Sequence, residues 1–96
     1  MDKSIIEQEI KYLTEVLGKR LIDSDEKSVA NGYVQLAKKY WPEEYSSGEK
    51  RVVHHIDFDH SNNVVSNLVV LTCREHMLIH KLFDPAYELK RQRLSK

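Results

Sequence analysis

The sequence predicts a small α+β domain in which two helices precede a strand, a loop, a second strand and a further helix. Two observations support this prediction. Up to Trp41 the apolar residues recur at helical spacing, and beyond residue 50 two short β-branched runs replace that period. With 96 residues, of which 41% are hydrophobic and 31% charged, the chain has the length and composition of one globular domain. We therefore expect residues 1–96 to form a single domain.

Residues 1–45 are predicted to form a helical cover over the core of that domain. The first helix is expected to start at a capping box of Ser4 and Glu7 and to end at Gly18, a residue type common just past a helix C-terminus. A second helix is expected from Ser24 to Trp41, where a proline follows and stops it.

Residues 50–83 are predicted to form the core as strand, loop, strand and helix. Residues 51–56 and 68–71 are short and rich in β-branched side chains, so each is predicted to be a strand, and a polar loop separates them. A second capping box, formed by Thr72 and Glu75, predicts the start of the helix that follows. The predicted order of this core is therefore strand, loop, strand and helix.

The segment 84–96 is predicted to be a basic helix that starts at Asp84 and Pro85. Residues 74–96 hold six basic and three acidic residues, whereas residues 1–26 hold four basic and seven acidic ones. A basic terminus can steer a protein toward phosphates, or it can be only the solvated face of a helix. The candidates for phosphate contacts in this segment are Lys90, Arg91 and Arg93.

The overall composition excludes several classes of protein. The 15 Lys and Arg residues balance the 15 Asp and Glu residues, so the net charge alone does not indicate a nucleic acid or a membrane as partner. No apolar run approaches the roughly 20 residues of a membrane span, and the first residues do not resemble a secretory signal, so a cytoplasmic protein is expected. The single cysteine, Cys73, excludes an internal disulfide and is expected to be a small packed residue.

The placement of histidine is the most unusual feature of the sequence, because all five histidines lie between positions 54 and 80. His76 and His80 are four residues apart on the predicted helix, so both imidazoles can reach a single ion. His54 and His55 end the first predicted strand, and neighbouring strand residues point to opposite faces. One of this pair can therefore be a third metal ligand while the other stays free for proton transfer.

The order of these residues resembles that of a known family. Val53-His54-His55-Ile56-Asp57 is followed by Asn62-Asn63, Asn67-Leu68, Leu71-Thr72, Glu75-His76 and Ile79-His80, a pattern similar to an HNH endonuclease. The resemblance covers roughly residues 50–83 and is greatest to the nuclease domains of DNase colicins. It implies the ββα-metal (His-Me finger) fold, with two antiparallel strands and a metal-binding helix. It does not extend to residues 1–45, and the paired cysteines of many HNH proteins are absent from the sequence.

The resemblance also implies a role for each motif residue. His55 would be the general base that takes a proton from a water attacking a DNA phosphodiester. His54, His76 and His80 would hold one divalent ion, and Asn67 would brace the loop that holds the base in place. Imidazole ligands suit Zn²⁺ or Ni²⁺, although Mn²⁺ or Mg²⁺ can also serve in such chemistry.

Several neighbouring residues have two open interpretations. Asp57 either orients a histidine through a hydrogen bond or caps the loop, and Asn63 is expected to support the loop backbone. Asp59 and His60 are expected to be solvated loop residues. Lys50 and Arg51 precede the first strand and either contact a phosphate or form a solvated pair.

The function predicted on this basis is that of a metal-dependent endonuclease that nicks or cuts DNA. The alternative is a catalytically inactive, HNH-derived module that binds nucleic acid or a protein around a structural metal. An RNA-directed or toxin-type nuclease would share the same chemistry. Small HNH proteins of this kind resemble those of phages and mobile elements, so phage or host proteins are further candidate partners, and no membrane is expected to be one.

Overall fold

In the computed structural model, which describes residues 3–28 and 32–87, a two-stranded antiparallel sheet lies between two layers of helices. The protein therefore has the α+β architecture that the sequence predicted. The elements are α1 (Lys3–Lys11), a π-helical turn (Tyr12–Val16), α2 (Tyr33–Tyr40), α3 (Pro42–Tyr45), β1 (Val52–His55), a 3-10 turn (Val65–Asn67), β2 (Leu68–Leu71) and α4 (Cys73–Phe83).

The helical segment made of α1 and the π-helical turn ends just before Gly18, as predicted for the first helix. Gly18 has φ +64°, a left-handed conformation that favours glycine, and the backbone amide of Lys19 donates to the carbonyl of Leu13 at 2.8 Å. The start differs from the prediction, because α1 already includes Lys3 and Ser4 lies inside the helix. Ser4 is therefore not the N-cap.

The second helix is shorter than predicted, because α2 begins at Tyr33 with Gly32 as its N-cap. Residues 24–28 are not helical. Lys27 instead forms an isolated antiparallel bridge with Val64, and the amide of Val65 donates to the carbonyl of Glu26 at 2.7 Å. Hydrogen bonding to the loop between the strands therefore replaces the helix that side-chain periodicity suggested for this segment.

The sheet is buried on both faces. Strand β2 alternates between two cores: Leu68 and Val70 pack on one face, while Val69 and Leu71 pack on the other. The first core contains Leu36, Ala37 and Trp41 from the α2 side, and the second contains Leu13 from the π-helical turn and Ile79 from α4. A sheet of only two strands is thus stabilised by helices on each side.

The start of α4 was predicted correctly. Thr72 is its N-cap and accepts a hydrogen bond from the Glu75 amide at 3.1 Å, while the Glu75 carboxylate accepts from the Thr72 amide at 2.9 Å. Glu75 also pairs with Lys19 at 2.8 Å, which ties the helix to the N-terminal segment.

Other expectations are settled only in part by this structure. Cys73 is exposed, so the prediction that it packs in the interior is wrong: at the first position of α4 it points away from both cores. The predicted basic helix lies almost wholly outside the described residues, as do Lys90, Arg91 and Arg93. Among the helices that the structure describes, none is long and apolar enough to cross a membrane.

Candidate active site and metal centre

The register of the sheet separates the two adjacent histidines. His54 pairs with Val69 and His55 pairs with Leu68, and directly paired residues of antiparallel strands point to the same face. His54 therefore faces the core of α1 and α4, whereas His55 faces α2. Both histidines are buried, with exposed fractions of 2% and 4%.

His54 meets the two histidines of α4. The ligand atoms of His54, His76 and His80 all lie within 4.8 Å of one another, which is close enough for one ion to contact all three. Nε2 of His76 and Nε2 of His80 are 3.0 Å apart. The structure therefore brings together the three residues that the sequence pattern grouped as metal ligands.

Two histidines of this cluster have lowered pKa values, and this favours the binding of a cation. Burial, with smaller effects of the charges of His76 and His80, lowers the pKa of His54 to about 3. Burial likewise lowers the pKa of His76, with a smaller effect from His80. The imidazoles of His54 and His76 are therefore neutral near pH 7 and present lone pairs, the form in which histidine binds Zn²⁺, Ni²⁺ and related ions.

A buried carboxylate, which the sequence analysis did not single out, lies behind His54. Glu9 of α1 is fully buried, and its Oε1 is 2.7 Å from Nε2 of His54. Burial raises the pKa of Glu9 to about 8, with a smaller contribution from the negative charge of Asp57. Its second oxygen, Oε2, has no hydrogen-bond partner. With this pKa the Glu9 carboxyl is mainly protonated near pH 7 in the ion-free protein, and a cation close by would offset the cost of ionising it in the interior.

A second carboxylate contacts the cluster from the end of α4. Nδ1 of His80 is 2.8 Å from Oδ2 of Asp84, which is also the C-cap residue of the helix. This contact leaves Nε2 of His80 directed toward His76. Phe58, which has φ +62°, places its ring 5.1 Å from the His54 ring and 4.9 Å from the His80 ring, so it forms an apolar wall of the cluster.

His55 has a separate set of neighbours. Its Nε2 is 2.7 Å from Oδ1 of Asn63, and its ring makes an edge contact with Tyr33 at 5.3 Å. His60 stacks on it, with ring centroids 5.1 Å apart and planes inclined by 16°. His60 is exposed, as predicted for a loop residue, but the structure also makes it part of the surroundings of His55.

Asn67 ties the loop between the strands together. Its Nδ2 donates to Oδ1 of Asp57 at 2.8 Å and to the carbonyl of Asn62 at 3.0 Å, and its Oδ1 accepts from the Asp57 amide at 3.1 Å. The Asp57 carboxylate also accepts from the Asp59 amide and from Asn62. Of the two interpretations of Asp57, these contacts correspond to loop capping, while Asn63 is the residue that contacts His55.

The two candidates for phosphate contacts before β1 differ, because Arg51 forms ion pairs and Lys50 is exposed. Arg51 is paired with Glu44 at 3.6 Å and with Glu49 at 3.3 Å, so its guanidinium is already occupied by carboxylates. The suggestion that Arg51 contacts a phosphate is therefore at odds with its ion pairs. Lys50 is exposed.

One cleft of about 180 Å³ is open to both histidine environments. It is lined by Tyr33, Val52, Val53, His54, His55, Phe58, His60, His76 and His80. Two larger clefts, of about 280 and 290 Å³, contain no histidine in their walls. A ligand in the smaller cleft could therefore contact both His55 and the cluster of His54, His76 and His80.

The imidazoles of His54, His76 and His80 lie close together, and His55 is next to His54 on β1. A group of histidines of this kind suits metal-assisted hydrolysis. Residues 40–78 match the family model described as HNH endonuclease. The resemblance to an HNH endonuclease that the motif indicates is therefore confirmed for this segment. The match includes both strands and the first half of α4, and it ends before His80. No curated protein and no solved structure matches the chain.

The match supports a nuclease-type domain in this segment. It implies a nucleic acid such as DNA as the substrate and a metal ion in the site. Among the described residues, the group that can hold such an ion is the cluster of His54, His76 and His80.

Proposed function

We propose that the protein is a metal-dependent endonuclease that hydrolyses phosphodiester bonds of DNA, with His55 as the general base and one divalent ion held by His54, His76 and His80. The observation that supports this most directly is the position of His54 and His55 on opposite faces of β1 but in the wall of one cleft. A phosphate in that cleft can contact the ion side and the base side at once.

The contact with Asn63 indicates which ring nitrogen of His55 carries the hydrogen. Because the amide oxygen of Asn63 only accepts hydrogen bonds, Nε2 of His55 carries the hydrogen and Nδ1 carries the lone pair. Nδ1 would therefore take the proton from a water molecule as the water oxygen forms its bond to phosphorus and the bond to the 3′ oxygen breaks. General-base catalysis of this kind contributes about 10²–10⁴-fold in rate.

The remaining residues would act through these two centres. Asn67 is a positioning residue, since its hydrogen bonds hold the loop that contains Asn63 and hence the orientation of His55. A divalent ion, when bound, would supply positive charge to the phosphate and to the leaving 3′ oxygen. Lys50 is an exposed candidate for phosphate contact, and contacts from Lys90, Arg91 and Arg93 stay a prediction about the basic C-terminal segment.

We further propose that residues 1–96 work as one nuclease domain. Residues 1–45 would be the helical cover, residues 50–83 the metal-binding core, and residues 84–96 the basic segment. Contacts across these boundaries, such as Glu9 with His54 and Lys19 with Glu75, support a single unit.

The proposed function is tested by incubating the protein with supercoiled plasmid and with single-stranded DNA and RNA, in Zn²⁺, Ni²⁺, Mn²⁺, Mg²⁺ or EDTA. Conversion of plasmid to open circle in a divalent metal, and its loss in EDTA, is the expected result. Preferential cleavage of RNA would correct the substrate. If the protein binds metal but cleaves none of these substrates, a binding module with a structural metal becomes the better description.

A further inference from the structure

Glu9 is a buried acidic residue from α1, and nothing in the nuclease motif accounts for it. We propose that Glu9 is a positioning residue of the cation site, which holds Nε2 of His54 and thereby presents Nδ1 of His54 to a divalent ion. The inference rests on the proposed function, because it assumes that the histidine cluster binds such an ion. It makes the N-terminal helix a part of the metal centre rather than only a cover.

The surroundings of Glu9 indicate a ligand-directed role. Its side chain is fully buried, and its Oε2 has no hydrogen-bond partner. Within the described residues, the ion pair recorded for Glu9 is the one with His54, at 2.7 Å. A buried carboxylate without a permanent cation is costly, and this cost is normally offset by a positive charge close by.

The nitrogen that Glu9 contacts determines which nitrogen is left for the ion. An imidazole that donates Nε2–H to a carboxylate has its lone pair on Nδ1. Glu9 itself is not one of the three residues whose ligand atoms lie within 4.8 Å of one another. The geometry therefore favours an outer position for Glu9, behind the ligand, over direct coordination.

His80 shows the same arrangement with its nitrogens exchanged. Its Nδ1 contacts Asp84 at 2.8 Å, and its Nε2 is the atom that approaches His76. Carboxylates that accept from the second nitrogen of a metal-binding histidine fix the tautomer and raise the basicity of the ligand.

The experiment measures divalent-ion binding by the full chain with Glu9 replaced. Glu9→Leu removes the acceptor, Glu9→Gln keeps an acceptor oxygen but removes the charge, and Glu7→Gln is the matched control because Glu7 is exposed on the same helix. Calorimetric titration with Zn²⁺ and with Co²⁺ alone should show an affinity loss of about 10–100-fold for Glu9→Leu and about tenfold for Glu9→Gln. Glu7→Gln should bind as the parent does.

Two further readouts separate a positioning role from a structural one. Without metal, Glu9→Gln should melt close to the parent because it keeps an acceptor oxygen for the buried Nε2 of His54, whereas Glu9→Leu leaves that nitrogen without a partner and should melt at a lower temperature. In ¹⁵N-edited spectra of the imidazoles with Zn²⁺ bound, His54 should show a protonated Nε2 in the parent. The visible absorption of bound Co²⁺ should keep its band positions in Glu9→Gln, since the donor atoms are unchanged.

The outcomes distinguish this inference from the proposed function. Unchanged ion affinity in both Glu9 variants would overturn the role of Glu9 and leave the nuclease proposal intact. A Co²⁺ spectrum that shifts to a different coordination number would make Glu9 a ligand and overturn the outer position. If Glu9→Leu does not fold, the Glu9→Gln affinity decides. If the parent binds no divalent ion, both proposals fail.

Discussion

His54 and His55 are neighbours in the chain, but the strand gives them different chemistry. His54 is enclosed by Glu9, Phe58 and the histidines of α4, whereas His55 contacts Asn63 and is stacked by His60. The alternation of side chains along β1 is the physical reason for this division, because adjacent residues cannot face the same side of a sheet. One residue step therefore separates the proposed ligand from the proposed base.

The first prediction concerns this pair. His55→Ala should abolish plasmid nicking while divalent-ion affinity stays within about twofold of the parent, because His55 lies on the opposite face from the cluster. His54→Ala and His76→Ala should weaken ion binding and the thermal stabilisation by metal. Calorimetric titration beside a nicking assay measures both effects, and Met77→Ala, exposed next to His76, is the control. Loss of the ion in His55→Ala but not in His54→Ala would reverse the assignment.

The second prediction concerns Asp57 and pH. Burial raises the pKa of Asp57, but hydrogen bonds from Asn62, the Asp59 amide and Asn67 outweigh it, so the pKa lies below the ordinary value of 3.8. A lowered carboxyl pKa stabilises the fold above the unfolded-state value, and this stabilisation is lost as the pH falls through the lowered one.

Asp57→Asn should therefore reduce the free energy of unfolding by about 1–2 kcal/mol at pH 7. Urea unfolding in EDTA, repeated at decreasing pH, should show this deficit shrinking once the pH falls below about 4. A deficit that is constant down to the lowest pH at which the parent still folds would show that the charge of Asp57 does not contribute.

At the level of single residues, the histidine cluster could be predicted because ligand spacing is written in the sequence. Glu9 was missed, although it follows Ile6 by three residues and precedes Leu13 by four, which places it on the inward face of α1. An acidic residue is usually solvated, so only the partner at position 54, 45 residues away, reveals why this one is buried. The stacking of His60 on His55 depends on loop geometry, which no local pattern specifies.

Among the elements, α4 determines the spacing of two proposed ligands. Its capping box fixes the first turn, Ile79 anchors the helix in the second core, and His76 and His80 follow one turn apart. Both the box and the spacing are local, and for this reason the sequence predicted them. The length of α2 was not predictable in the same way, since residues 26–28 bond to the loop before β2, a contact between distant segments.

The third prediction tests the link between the cap and the metal site. Thr72→Ala should lower the free energy of unfolding by about 1 kcal/mol, because the Glu75 amide loses its acceptor. Frayed first-turn residues would also hold His76 less firmly, so the rise in melting temperature on adding Zn²⁺ should be smaller than in the parent. Denaturation with and without Zn²⁺ measures both. Ser66→Ala, at an exposed position, should change stability by no more than about 0.5 kcal/mol. Equal effects of the two variants would contradict the proposed role of the cap.

At the scale of the whole molecule, the segment before β1 and the nuclease motif share the two hydrophobic cores. Leu13 contributes to one core, Leu36 and Trp41 contribute to the other, and the sheet between them is covered by both sets. The sequence predicted a helical cover, but it gave no indication that the two faces of the sheet would be divided between different helices. That division follows from chain topology, which local periodicity does not encode.

The fourth prediction follows from this arrangement. Deletion of residues 1–41 should give an unfolded or aggregating product, because it exposes the face of the sheet that packs on α2 and leaves the other face covered by α4 without the N-terminal segment. Circular dichroism and size-exclusion chromatography would report the loss. A soluble remnant with full nicking activity would instead show that the N-terminal helices are an independent module.

At Phe58 the backbone conformation and the packing of the side chain favour different residues. A non-glycine residue in the left-handed region costs of order 1–3 kcal/mol, yet Phe58 adopts φ +62° and packs its ring on His54 and His80. Glycine would relieve the backbone and open the wall of the cluster to water. Glycine would also remove the ring from the core on this face of the sheet, so a laboratory selection for heat resistance would weigh backbone relief against lost packing, while a selection for activity would retain the aromatic ring.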